Sequence, residues 1–100
     1  AGVPGALVPG LHTAAKLNNV SAMQLLLDAG ADVDAKEEGD TALNVGVRHR
    51  SVEASQYLLE HGANVNAISR YGQTPRASCR PSTERSDAMS ELLDAHGGVM

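Results

Sequence analysis

The residues of this chain with the widest chemical scope are four histidines, one cysteine and a run of carboxylates. His12, His49, His61 and His96 could ligate a metal or carry a proton. They are scattered, and no H-x3-H or C-x2-C spacing accompanies them, whereas a zinc site needs ligands grouped in that way. His61 and His96 each precede a glycine, where a partly positive ring complements the C-terminal end of a helix dipole. Their reading is structural. Cys79 lies near Arg76 and Arg80, and nearby cations favour a thiolate. A nucleophile also needs a base beside it, and the pattern marks none. Cys79 is expected to be a small, half-buried core residue. The carboxylates Asp28, Asp32, Asp34, Glu37, Glu38 and Asp40 lack the D-x-D-x-D-G order and distal Glu of a calcium loop, and read as solvated turn residues. Neither a phosphate-cradling glycine loop nor a G-x-S-x-G elbow is present. No catalytic residue, metal ligand or cofactor is assigned, and the expectation is that the chain is not an enzyme.

The elements that carry these residues follow from composition. A chain of 100 residues reads as one domain. With two Tyr and no Phe or Trp, its core must be built from Leu, Val, Ala and Met. Abundant alanine lets helices approach closely, which favours a layered helical stack. The formal charge of −4 makes nucleic acid a poor partner. No apolar run approaches the roughly 20 residues that cross a bilayer; the longest cluster is Leu25-Leu26-Leu27. The first ten residues hold two prolines, three glycines and no basic residue, unlike a signal peptide. The chain does not begin with Met, as expected of a processed or trimmed fragment. The single cysteine excludes an internal disulfide framework and fits a reducing compartment. An intracellular protein of the cytoplasm or nucleus is expected, monomeric alone and not inserted in a membrane.

An internal repeat organises the chain. Gly30-Ala31-Asp32-Val33-Asp34-Ala35 returns as Gly62-Ala63-Asn64-Val65-Asn66-Ala67, an offset of 32. Leu25-Leu26-Leu27-Asp28-Ala29 matches Tyr57-Leu58-Leu59-Glu60-His61, with a third copy in Glu91 to Gly97. Gly39-Asp40-Thr41-Ala42-Leu43 matches Gly72-Gln73-Thr74-Pro75-Arg76, and Leu11-His12-Thr13-Ala14-Ala15 is a degraded first copy. Each unit reads as two helices and a turn. Ala22, Leu25, Leu26 and Ala29 form an i, i+3, i+4, i+7 stripe, repeated at Ala54, Tyr57, Leu58 and His61. Ser21 with Gln24 reads as a capping box, and Gly30 and Gly62 as helix stops. Thr41 and Thr74 stand where an N-cap hydroxyl would, and Pro75 falls at the first helical position. One such pair cannot bury its own apolar face, so stability must come from stacking.

These runs resemble the ankyrin repeat family. Its T-P-L-H-x-A-A start is shared among Leu11 to Ala15, Thr41-Ala42-Leu43 and Thr74-Pro75, and its L-L-L-x-x-G-A-D-V-N-A run is nearly complete at Leu25 to Ala35 and Leu58 to Ala67. The resemblance implies an all-α solenoid of paired antiparallel helices with short β-hairpin fingers at Val33 to Thr41 and Val65 to Thr74. The units fall at about 9–38, 39–71 and 72–98, after an irregular segment 1–8. The first finger is one residue shorter, with nine positions from Gly30 to Gly39 against ten from Gly62 to Gly72. The third unit departs most. Arg76 replaces a buried Leu, Cys79 and Arg80 replace small residues, Glu91 falls on the apolar stripe, and two residues are added near Pro81 and Ser82. It is expected to be an end cap with a wet outer face, or irregular near Pro81.

The resemblance further implies a protein-interaction module whose partner, another protein, docks on the fingers and the concave helix face. Residue by residue that face is Lys16, Leu17, Lys36, Glu38, Asp40, Arg48, His49, Ile68, Arg70, Tyr71 and Gln73. Glu37, Glu38 and Asp40 make the first finger acidic, while Arg70 and Arg48 are basic, so charge could orient a partner. His12 matches the family's structural histidine, expected to bond near its own turn. Asn66 matches a finger asparagine open to hydroxylation, beside its plainer reading as a turn-stabilising residue. The competing function is a structural spacer or capping segment of a longer array.

Overall fold

A computed structural model describes residues 7–78 and 88–98. The expectations for Cys79, Arg80, Pro81 and Ser82 lie outside the described residues. Among those described, six helices stack in pairs: α1 (Leu7–Lys16) with α2 (Val20–Asp28), α3 (Ala42–Arg48) with α4 (Val52–Glu60), and α5 (Pro75–Ser78) with α6 (Ala88–Ala95). The inner helices α1, α3 and α5 pack in sequence, and so do the outer helices α2, α4 and α6. The first helix reaches back to Leu7, inside the stretch expected to be irregular. Pro9 is tolerated there because an N–H in the first turn of a helix has no intrahelical carbonyl to meet, so the one proline lacks is not missed.

Helix boundaries follow local chemistry. Thr41 caps α3 by accepting from the Asn44 N–H at 3.2 Å, while the Asn44 carboxamide oxygen accepts the Thr41 N–H at 2.9 Å. Thr74 accepts from the Ala77 N–H at 3.1 Å, with Pro75 opening α5. Gly30, Gly62 and Gly97 stop the outer helices at φ of 98°, 88° and 84°. Each stop is closed by the residue after the glycine: Ala31 donates to the Leu26 carbonyl, Ala63 to Leu58 and Gly98 to Leu93, the pattern of a Schellman cap.

Those caps correct the register of the third unit. Leu93 is the partner of Leu26 and Leu58, so Glu91 matches Gln24 and Gln56, and it is exposed as they are. It does not lie on the apolar stripe. The stripes themselves are also shifted. In α2, Met23 is fully buried, Leu26 and Leu27 are half-buried, and Leu25 is 71% exposed, as is Ala29 in kind. In α4, Ala54, Ser55, Leu58 and Leu59 are buried, Tyr57 is half-buried and His61 is exposed. An outer helix touches its own inner helix and a neighbouring outer helix at once. Its buried surface therefore takes adjacent residues, i and i+1 with i+4 and i+5, instead of one narrow stripe. The start of α2 is corrected as well: Asn19, not Ser21, is the cap, accepting from the Ala22 N–H at 3.1 Å.

The core of Leu11, Ala14, Ala15, Met23, Ala42, Leu43, Val47, Ala54, Leu58, Leu59, Met89 and Leu93 runs through all three pairs. Long-range polar bonds tie the units along the same axis. Asn18 (φ 56°) accepts the Ala54 N–H at 2.9 Å, capping α4, whose own N-cap Ser51 makes no capping bond and donates instead to the Lys16 carbonyl at 3.4 Å. Asn44 donates to the Ala67 carbonyl at 2.9 Å. His12 donates from Nε2 to the Asp40 carbonyl at 2.7 Å, so it reaches the next finger, 28 positions on. Arg76, in the place of Leu11 and Leu43, is largely covered and donates to Asp94 on α6 at 2.9 Å.

Candidate protein-interaction face

The fingers begin with one turn built twice. Asp32 Oδ1 accepts the Asp34 N–H at 2.9 Å and Asn64 Oδ1 accepts the Asn66 N–H at 3.0 Å. Short polar side chains that bond the backbone two residues on are built for such turns. Asp34 then accepts the Asn64 N–H at 2.8 Å, joining the two turns. Asn66 reaches the Gly97 carbonyl at 3.5 Å, so its carboxamide leans on the next cap.

Beyond these turns the one-residue difference in finger length acquires a physical meaning. Glu37 and Asp40 pair across the two-residue loop Glu38-Gly39, with φ of 52° and 87°, the positive pair that a two-residue hairpin loop of the primed type requires. In the second finger Ser69 donates to the Gln73 carbonyl at 2.8 Å across the three-residue loop Arg70-Tyr71-Gly72, with Gly72 at φ 74°. The fingers are single closures: no strand longer than one bridge forms among the described residues. They also touch each other. A Cβ on Gly39 would stand 3.0 Å from the Arg70 Cβ, so any larger residue would crowd the second tip as well as strain a positive φ.

Asp40 sits at the centre of this approach, and its reading as a residue for a partner to touch is corrected. Its side chain is wholly buried. Its carboxylate accepts from Arg48 at 2.9 and 3.1 Å, from the Arg70 backbone N–H at 3.0 Å and from Arg70 Nε at 2.8 Å. Burial alone would push this carboxyl up. The bonds from Arg48 and the Arg70 N–H, with the charge of Arg48, outweigh it and bring the pKa from 3.8 to about 2. Arg70 also reaches Glu38 at 3.2 Å. Much of the charge expected to face a partner is thus spent inside the protein.

What remains outside is an apolar and cationic surface. The Arg48 guanidinium lies 4.8 Å from the centre of the Tyr71 ring, within cation–π range, yet Tyr71 is 65% exposed. Ile68 is 45% exposed, and its carbonyl accepts from Lys36 Nζ at 3.2 Å. Lys36, Glu38, Arg48, Ile68, Arg70 and Tyr71 therefore form one connected patch around buried Asp40. Gln73 is half-buried at its base, accepting from the Ser78 hydroxyl at 3.3 Å. Lys16, Leu17 and His49 are exposed at the ends of the inner helices, Leu17 at 66%; Lys16 and Leu17 stand where the next unit has Arg48 and His49. Sequence reasoning missed Asn18 and Asn44, which position the face by joining units. Thr41 three places before Asn44 is a capping-box spacing that could have marked the second. Among the described residues there is no group of His, Cys, Asp and Glu able to hold a metal ion, no pocket, and no helix long and apolar enough to cross a membrane.

Comparison with known proteins agrees with this architecture. A sequence profile described as ankyrin repeats in three copies matches residues 9–76. The serine/threonine-protein kinase VIK of Arabidopsis thaliana is 34% identical over 84 residues, which are 82% of this chain and 19% of the kinase. Ankyrin repeat and SOCS box protein 11 of Mus musculus is 33% identical over 91 residues, covering 82% of this chain and 28% of that protein. The chain thus spans less than a third of either relative. The crystal structure of the human ASB11 ankyrin repeat domain superposes with a TM-score of 0.78 at 28% identity, over 89% of this chain and 40% of that one. Ankyrin repeats are in general protein-interaction modules. The periodic units, the paired-helix stack and these matches together show that the chain belongs to the ankyrin repeat family.

Proposed function

We propose that this chain is a protein-interaction module whose partner docks on the finger tips and the exposed side of the inner helices. The observation that carries the reading is Tyr71. Its ring is 65% exposed and takes no part in the core, yet it is held against Arg48, which Asp40 fixes in turn. A rigid aromatic beside arginine is the kind of group that concentrates binding energy. Gln73 serves this face by holding the base of the second finger. We read the chain as a monomer within the cell, in one domain with the unit boundaries given above, acting on a protein and not on nucleic acid. Hydroxylation of Asn66 is a further mark on the same finger, and would show as one added oxygen on its peptide by mass spectrometry.

A photo-crosslinking side chain placed at position 71 tests the reading against the same group at Gln24 or Gln56 on the outer helices. Partner adducts from position 71 and none from the outer positions are expected; the reverse pattern sinks the proposal. A second reading, a spacer within a longer array, is favoured by one comparison. Leu25, Leu26 and Leu27 are more exposed than their equivalents Tyr57, Leu58 and Leu59, as they would be if a preceding unit covered them. If this reading holds, adding a capping unit before residue 1 raises the melting temperature and no adduct forms at position 71.

A further inference from the structure

Among the described residues, acidic and basic groups gather on different sides. The outer helices α2, α4 and α6 and the turns that follow them carry Asp28, Asp32, Asp34, Glu53, Glu60, Glu91 and Asp94, and no Lys or Arg. The inner face, by contrast, holds Lys16, Lys36, Arg48 and Arg70 against Glu37, Glu38 and Asp40. Of those three carboxylates Asp40 is wholly buried, and Glu37 turns a buried oxygen inward, 3.8 Å from His12 Nδ1. Only Glu38 stands fully out at the tip. The groups offered to a partner are therefore mainly cations, set beside the exposed apolar side chains Ile68 and Tyr71, with Leu17 exposed at the end of the first inner helix. In a chain whose net charge is −4, the described residues present a cationic, apolar surface where the fingers meet the inner helices.

We propose that the partner segment seated there is acidic, with aliphatic or aromatic anchors between its carboxylates. This rests on the docking reading above and adds the partner's chemistry. Carboxylates on the segment pair with Lys16, Lys36 and the open edges of Arg48 and Arg70, and its anchors cover Leu17, Ile68 and Tyr71. The acidic outer side repels the same segment, so charge selects the face as well as the partner. A basic segment would meet the opposite field and be drawn to the outer helices.

The test uses the full chain, isotope-labelled, and three short synthetic peptides sharing two leucines and differing only in glutamate, lysine or serine at the remaining positions. The glutamate peptide is expected to shift the amide signals of Leu17, Arg48, Ile68 and Tyr71, to bind at least about tenfold tighter than the lysine peptide, and to weaken several-fold as salt rises from about 50 to about 300 mM. Lys16→Glu and Lys36→Glu together should weaken it while the fold, followed by circular dichroism, is kept. Tighter binding of the lysine peptide, shifts confined to α2, α4 and α6, or no shift of the inner face by any peptide overturns the proposal. Crosslinks from position 71 to a partner without a preference for acid would remove the charge assignment alone and leave the docking reading standing.

Discussion

Asp40→Asn keeps the shape of the side chain and removes the charge that holds the two fingers together. In the native protein this carboxylate collects four hydrogen bonds from Arg48 and Arg70. Its pKa falls from 3.8 to about 2, and at about 1.4 kcal/mol per pH unit this amounts to roughly 2 kcal/mol of stability at neutral pH. The sign follows from the depressed value. The contribution is fully present above about pH 4, where the carboxylate is ionised folded or unfolded, and it is lost as pH falls towards 2 and the native state takes up the proton. The variant also leaves a carboxamide N–H group facing two guanidinium groups, which adds to the loss. In a chain of this size about 2 kcal/mol lowers the melting temperature by roughly 10 °C. Urea denaturation followed by circular dichroism, for both proteins at pH 7 and at pH 2.5, measures the gap. It should be about 2 kcal/mol or more at pH 7 and shrink markedly at the lower pH. An equal gap at both values would mean that shape and not charge sets the cost, and no gap at pH 7 would mean that the fingers do not depend on this contact.

Other substitutions probe the stack itself. The Ser55 hydroxyl is buried with no hydrogen-bond partner among the described residues, so Ser55→Ala should raise stability by about 1 kcal/mol in thermal denaturation. Gly46→Ala would put its Cβ 2.8 Å from that hydroxyl; it should destabilise the native protein yet become neutral or stabilising with Ser55→Ala present, since alanine is the better helix former, and strict additivity of the pair would refute the contact. Leu58→Ala should cost about 2–5 kcal/mol, and Leu26→Ala distinctly less because Leu26 is only half-buried; equal losses in urea would contradict the open edge of the first unit. Asn18→Ala strips the cap from the Ala54 N–H and should cost about 1 kcal/mol, with amide exchange at Ala54 accelerated.

Much of the fold was legible in the amino-acid sequence because it rests on backbone chemistry that acts within a few residues. The glycines at 30 and 62 end helices by accepting positive φ, the threonines at 41 and 74 satisfy the N–H groups of the turn beside them, and the one-residue difference between fingers became a two-residue and a three-residue loop. The repeat period alone required the units to stack. Burial was less legible. A helix wedged between two neighbours buries a broad face, so Met23 went inside and Leu25 stayed in solvent, against a stripe read from a single helical period.

The face depended still more on tertiary structure. Lys36, Ile68, Arg70 and Tyr71 were marked by their place in the fingers, but nothing near Asp40 in sequence shows that it would be buried under arginines 8 and 30 positions away. The same holds for His12 reaching Asp40 and Asn18 capping Ala54. Turns and the caps at Asn19, Thr41 and Thr74 are decided by the residues next to them, whereas the cap of α4 and the partner of a long side chain are decided by how the units stack; once stacked, this protein neutralises part of its finger charge internally and leaves Tyr71, Ile68 and Leu17 outside.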